Sequence, residues 1–426
     1  MAWSKRGMIV GSTVLLSAAV ATTGAGLHLS KSWAGLRESP KELVDEVWQV
    51  VDYEYVDGTF NGVDWRAVRR EYLGKNYASQ EAAYEAAREM LKKLDDPYTR
   101  FMDPEQFKTM QIDTSGELTG VGIQIAEDEK TKQITVISPI EGSPASEAGI
   151  RSKDVIIKID DKSTKGMDVN QAVSLIRGPE NSQVTITVKR GDQELPFNLT
   201  RTKIEIHPVR FSVKPSPAGP VGYIRLVQFS ANAAPEMEAA IKALDKQNVA
   251  GYILDLRSNP GGLLFASAEI ARMFLDQGTI VSTVDRQGVS DQMKAKGNSL
   301  TNKPLVVLID GGSASASEIL AGALQDNNRA ELVGTKTFGK GLVQSVQRLG
   351  DGSGMAVTIA KYFTPSGRDI NKKGIEPNVE VKLTEEQLKS LTREQIGSEA
   401  DLQFTKALSI LDQKIAAAQK SAQASP

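Results

Sequence analysis

Between residues 221 and 324, short apolar runs alternate with helical patterns. Residues 222–226 (GYIRL), 251–256 (GYILDL) and 305–309 (LVVLI) read as strands. The last is an unbroken apolar run, as a strand buried on both faces requires. Residues 234–244, 263–274 and 317–324 carry helical spacing and separate or follow these strands. Such alternation predicts an α/β core.

The flanking stretches have a different character. Ser39-Pro40-Lys41-Glu42 is a helix start, with Ser at the cap, Pro in the first turn and Glu three residues on. Leu43, Val44, Val47, Val50 and Val51 then recur at helical spacing, and a second helical stretch over 79–94 ends in the turn Asp95-Asp96-Pro97. The apolar stripe of this region needs a partner, either the rest of the chain or a second copy in a homo-oligomer. Residues 104–203 instead hold short alternating strands at 121–125, 134–137, 155–159 and 184–188, interrupted by one helix at 169–176. Lys214-Pro215-Ser216-Pro217 is a linker-like boundary. From Thr384 the chain is helical and fades into Ala, Gln, Lys and Ser, a tail expected to fray. The divisions are 1–34, 35–103 (helical), 104–203 (β-rich), 204–383 (α/β core) and 384–426 (helical).

Composition removes several chemistries. Cysteine is absent, which excludes thiol nucleophiles, disulfides and thiolate metal sites together. The two histidines are His28 and His207, too few for a His-based zinc site. A Ser-His-Asp triad would depend on His207, which sits beside Pro208 between strand-like stretches and reads as structural. The formal charge of −2 gives no basic excess for nucleic acid. Lys5 and Arg6 precede an apolar run over 8–21 and then small residues, the shape of a signal peptide with cleavage sites near residues 25 and 34. The alternative is an uncleaved membrane anchor; in either case the bulk of the chain lies outside the cytoplasm.

Four segments carry candidate chemistry. In 305–324 a strand ends at Asp310, a Gly311-Gly312 turn follows, and Ser315 stands at the mouth of a helix. Ser315 is there either a nucleophile, with the Ala316 N–H as an oxyanion donor, or simply the cap of a Ser-x-x-Glu capping box with Glu318. Residues 334–341 (GTKTFGKG) imitate a phosphate-binding loop, but Gly341 replaces the hydroxyl residue and 342–347 reads as a strand, so a nucleotide site is not expected. Lys340 is then either a solvated lysine or a general base that burial keeps neutral, with Gln344 placed to orient the amine. Residues 255–263 run from a strand through Pro260-Gly261-Gly262 into a helix, exposing N–H groups suited to an oxyanion or a phosphate. Gly120, Val121, Gly122 and Ile123 are either a nest for a C-terminal carboxylate or an ordinary glycine turn.

Taken together, LDDPYTRFMDPEQF (94–107), GVGIQI (120–125), GSPASEAGIRSKDVIIKID (142–160), DLRSNPGGLL (255–264), GSASASEILAGALQDN (312–327), GTKTFGKGLVQ (334–344) and GIEPNVEV (374–381) resemble the carboxyl-terminal processing proteases. These are tail-specific serine peptidases with an embedded PDZ domain, and the resemblance spans nearly the whole chain after the leader. It implies a ClpP/crotonase-like α/β protease core with an inserted PDZ-like domain. Carried over residue by residue, it implies Ser315 as nucleophile, Lys340 as general base, Gln344 orienting the lysine, and Gly261 and Ala316 as oxyanion donors. Gly120 to Ile123 would take the substrate's carboxylate, and Glu318 would cap. Lys153 departs from the pattern, which has Gly before Asp154. WQVVDYEYVDGTFNGVDW (48–65) resembles the cyanobacterial and chloroplast members, which act in the periplasm or thylakoid lumen and include a group that matures photosystem II D1. The implied partners are proteins with free C-terminal tails, with no metal, cofactor or nucleotide. A different class, a PDZ scaffold with an inert core, is opposed by the intact Ser, Lys and Gln.

Overall fold

The computed structural model describes residues 39–128, 131–140, 142–392 and 395–424; residues 1–34, with the expected leader, lie outside them. Helix α1 (Pro40–Glu54) opens on the expected box: Ser39 N–H donates to Glu42 Oε2 at 2.7 Å and Glu42 N–H to Ser39 Oγ at 3.3 Å. It packs with α2 (Trp65–Leu73) and α3 (Gln80–Lys92). The indoles of Trp48 and Trp65 stack at 6.4 Å, and each N–H donates to the other residue's carbonyl. The apolar stripe finds its partner within the chain, on Leu349, Met355 and Val357. Strand β1 (Arg100–Met102) then joins the region to the body by pairing with residues 354–356.

A helix that periodicity does not signal follows, α4 (Pro104–Ser115). It buries only Phe107, so no apolar stripe marks it; its signal is the Asp103/Gln106 capping box around Pro104. Strand β2 (Glu117–Gly120) leads into the β-rich unit and pairs with β9 (Thr202–Glu205), which leads out. Between them lie β3 (Ile123–Glu127), β4 (Ile134–Pro139), the short helix α5 (Pro144–Glu147), β5 (Val155–Ile159), β6 (Lys162–Ser163), α6 (Val169–Ile176), β7 (Gln183–Arg190) and β8 (Gln193–Thr200). The sheet order is β3-β4-β5-β7-β8, so β3 is a free edge. The strand starts at Ile123 rather than Val121, because Gly122 has a left-handed φ of +76° and turns the chain. Lys153, in the place of the usual glycine, holds φ +71°.

The core sheet runs β10 (Val209–Lys214), β11 (Val221–Leu226), β12 (Gly251–Asp255), β15 (Leu305–Ile309), β16 (Glu331–Gly334), β19 (Val379–Glu380), all parallel except the edge strand β10. Side chains of β15 alternate between faces: Leu305, Val307 and Ile309 meet α7 (Ala233–Asp245), α8 (Leu264–Phe274) and α9 (Ala316–Asp326), while Val306 and Leu308 meet the C-terminal helix. Cover on both faces is why these strands are continuously apolar. A second sheet, β1-β18-β13-β14 with β17 also on β18, is built from β13 (Thr279–Asp285), β14 (Ser290–Lys294), β17 (Leu342–Arg348) and β18 (Gly354–Phe363). After α10 (Glu385–Ser390), the expected C-terminal helix is α11 (Leu402–Ala424), whose Phe404, Ala407, Leu411 and Ile415 complete the core.

Candidate active site

The carboxyl ends of β12, β15 and β16 converge, the usual place for ligands on a parallel sheet. Ser315 occupies the N-cap of α9, partly exposed. Other caps in this chain, Ser39, Ser79, Asp103 and Asp168, have extended backbones. Ser315 instead has φ +53° and ψ −114°, a strained conformation of the kind found at functional sites. The adjacent Ala316 N–H, at the first helical position, has no intrahelical acceptor.

Glu318 does more than cap. Fully buried, it accepts the Ser315 N–H at 2.9 Å, the Thr337 hydroxyl at 2.5 Å, the Gly339 N–H at 2.7 Å and the Lys340 N–H at 2.9 Å. One carboxylate, stabilised by hydrogen bonds in place of a cation, thus ties the serine's backbone to the lysine's. Tyr362 makes a second tie: its hydroxyl is 3.1 Å from the Ser315 carbonyl and also hydrogen-bonds the Lys340 carbonyl. The glycines around Lys340 admit backbone. A Cβ on Gly339 would lie 2.9 Å from Gly374 N, and one on Gly341 2.8 Å from Asn371 N. Lys340 leads into strand β17, not a helix, which removes the phosphate-loop geometry.

The Lys340 amine lies 4.8 Å from the centroid of the Tyr98 ring and is not hydrogen-bonded to Ser315 Oγ. Burial, reinforced by the charge of Arg100, lowers its pKa against the opposing pull of Asp96 and Glu318. Gln344 sits on β17 opposite Thr358, and its amide donates to the Thr358 hydroxyl at 3.4 Å rather than to the lysine.

Gly261 is brought against the serine. With φ +101°, it leaves no room for a Cβ, which would stand 2.9 Å from Ser315 Cβ and from Ala316 N. Its N–H is not free, however: it donates to Asn259 Oδ1 at 2.9 Å. Asn259 also fastens this turn to α9 through its carbonyl, which accepts from Ala314 N–H at 3.0 Å and Ser317 Oγ at 2.8 Å. Behind it, Arg257 is held by Asp255 and Asp401. His207 Nδ1 hydrogen-bonds Glu236 Oε1 at the surface, at 2.7 Å.

In the β-rich unit, Gly120 ends β2, Val121 is buried, and Gly122 packs against Ser143 at the head of the free edge β3. A cleft of about 1290 Å³ lies between the C-terminal part of α6 with the residue that follows it (Val173, Ser174 and Arg177), helix α4 and residues 95–103. Ser174 hydrogen-bonds Glu105, and Arg177 donates to Thr109 Oγ1 at 3.2 Å, joining α6 to α4.

Comparison with known proteins defines the class first: residues 220–381 match the model of Peptidase family S41, and residues 135–190 that of a PDZ domain. The carboxyl-terminal-processing protease of Synechocystis sp. is 46% identical over 402 residues, 93% of each chain. The chloroplastic C-terminal processing peptidase of Tetradesmus obliquus is 42% identical over 80% of this chain and 77% of its own. The solved structure of a photosystem II D1 C-terminal processing protease superposes with a TM-score of 0.56 at 40% identity, covering 87% of this chain and 98% of that one. The chain belongs to Peptidase family S41, as a carboxyl-terminal-processing serine peptidase with a PDZ domain. No helix among the described residues is long and apolar enough to cross a membrane.

Proposed function

We propose that this chain is an exported, ATP-independent endopeptidase that cleaves near the C-terminus of its substrates with Ser315 as nucleophile and Lys340 as general base. The observation that carries this reading is the Glu318 carboxylate, which fixes the backbones of both residues in one frame. In the neutral form favoured by burial, the Lys340 amine takes the Ser315 hydroxyl proton as Oγ attacks the scissile carbonyl. The oxyanion is received by Ala316 N–H and by the Gly261 turn, where Gly261 N–H turns from Asn259 to the developing charge. The ammonium then returns its proton to the leaving amine, and water hydrolyses the acyl-enzyme. Gln344 steers the amine once it leaves Thr358.

Tail selection falls to the PDZ domain. A substrate's last residues add to the free edge β3, with the carboxylate at the N–H groups of Gly120–Ile123. The cleft beside α6 is lined by Asp96 and Arg100, whose charges act on Lys340. The basic start and apolar run of residues 5–21 support export to a periplasm or thylakoid lumen, with or without retention as a membrane anchor. Likeness to a photosystem II D1 processing protease makes D1 precursor the first substrate to try.

The test is cleavage of a D1-precursor tail peptide by the wild type, Ser315→Ala and Lys340→Ala. Both variants are expected to be inactive and ATP to have no effect. Amidation of the peptide's C-terminus is expected to raise KM. Retained cleavage in either variant would overturn the dyad.

A further inference from the structure

No side chain of the stretch Asp95–Arg100 takes part in the proton transfer or bond making above, and in the sequence the stretch reads as a turn that ends a helix. It nevertheless supplies the surface on which the catalytic amine rests. Lys340 Nζ stands 4.8 Å from the Tyr98 ring centroid, within the range of a cation–π contact. The backbone that carries the ring is held firmly. Asp96 accepts the Tyr98 N–H at 2.9 Å, the Thr99 hydroxyl at 2.7 Å and the Thr358 hydroxyl at 2.7 Å, while Thr358 N–H donates to Thr99 Oγ1 at 3.1 Å. This clamps the turn to β18 at the residue that faces Gln344. The backbone of Lys340 is fixed separately, by Glu318 and Tyr362. What remains variable is the lysine side chain, and Tyr98 is the aromatic ring it meets.

We propose that Tyr98 is a positioning residue for the general base: its ring face holds Lys340 Nζ and stabilises the ammonium formed when the amine takes the Ser315 proton. In that step the Ser315 O–H bond breaks, an N–H bond forms at Nζ, and the electron pair left on Oγ forms the bond to the scissile carbonyl carbon. Reactants carry a neutral amine and the intermediate an ammonium. The negative face of an aromatic ring attracts the second far more than the first. The stabilisation therefore appears as the transition state is approached, which is where it accelerates the reaction. The charged groups that also face the amine are Asp96 from the same turn, Arg100 from β1 and Glu318 from α9. Arg100 favours the neutral form and the two carboxylates favour the ammonium, so the ring adds to the carboxylates.

This inference rests on Lys340 being the base, and the experiment separates the two. Tail-peptide cleavage is measured across pH for full-length wild type, Lys340→Ala, Tyr98→Phe and Tyr98→Leu, with the thermal midpoint of each. Leucine keeps apolar cover but has no ring face. Expected for Tyr98→Leu is a loss in plateau kcat of roughly tenfold or more with KM little changed. Its acid limb moves to lower pH by about half a unit, because loss of the ring favours the neutral amine. Tyr98→Phe keeps the ring and is expected within about twofold of wild type, with its limb in place. An active Lys340→Ala overturns the base itself. With Lys340→Ala dead, the proposal alone is overturned by a Leu variant with wild-type kcat and limb, by one that is faster, by a loss confined to KM, or by a Phe variant as damaged as Leu. If the Leu variant unfolds, Lys340 acylation by a small reagent, followed by mass spectrometry across pH in wild type and Tyr98→Phe, takes its place: coincident titrations below the ordinary lysine range support the proposal and separated ones overturn it.

Discussion

Arg257 and Asp401 form a two-point ion pair in the protein interior, Nη1 to Oδ1 at 2.9 Å and Nη2 to Oδ2 at 2.7 Å, across 144 residues of sequence. The pair fastens the start of the C-terminal helix to the loop that continues into Asn259 and Gly261. Asp255 takes the other edge of the guanidinium, and Tyr223 OH donates to Asp255 Oδ2 at 2.7 Å. The C-terminal region is thereby wired to the turn that packs against Ser315.

Asp401→Asn is expected to destabilise the protein by about 3 kcal/mol, the low end for breaking a buried pair, since Asp255 still neutralises Arg257. Burial alone would raise the Asp401 pKa, but hydrogen bonding and charge from Arg257 hold it below the usual carboxylate range. Its stabilisation is therefore present above the unfolded value and is lost as pH falls through the lower folded value. Urea unfolding between pH 7 and pH 3 should show a shallower loss of stability on acidification in Asp401→Asn than in wild type.

Ser315→Ala and Ser315→Gly should both abolish cleavage, yet differ in stability. Alanine retains the strain of φ +53°, and glycine releases it. The glycine variant should be the more stable by about 1 kcal/mol, read as a higher thermal midpoint.

Gly122→Ala tests tail capture. An added Cβ would strike Ser143, and φ +76° disfavours any side chain. Expected are a loss of about 2 kcal/mol in stability of the PDZ unit and a rise in KM for peptides with a free C-terminus. A small ester that needs no tail should be turned over at the wild-type rate; an equal loss on both substrates would count against a carboxylate site at residues 120–123.

For the lysine, the acid limb of kcat should lie below the ordinary lysine range, with activity rising as the amine loses its proton. Arg100 helps hold that value down, so Arg100→Gln should move the limb to higher pH. The shift should shrink in high salt, because Arg100 is exposed.

The core was legible because its signals are local. The apolar runs of β12 and β15, the Ser39 box and the strand after Lys340 each follow from a few neighbouring residues. Helix α4 escaped because it buries a single side chain, leaving only its cap as a mark. At the site, Ser315–Glu318 is visible as a capping box, but the reach of Glu318 to Thr337, Gly339 and Lys340 is tertiary. The contact of Tyr98 with Lys340 is hidden for the same reason. Asn259 is different: an Asn before Pro-Gly invites a side-chain turn to the N–H two residues on, so its hold on Gly261 could have been read from the sequence.

Strands β2 and β9 carry the chain into and out of the PDZ domain side by side, from Glu117 opposite Glu205 to Gly120 opposite Thr202. A module whose two ends meet can be lifted out as a cassette, since a short splice across the stem replaces it without stretching the protease body. Recognition and bond cleavage are therefore separable in inheritance: a different tail reader can be grafted onto the same chemistry by exchanging one continuous segment of the gene.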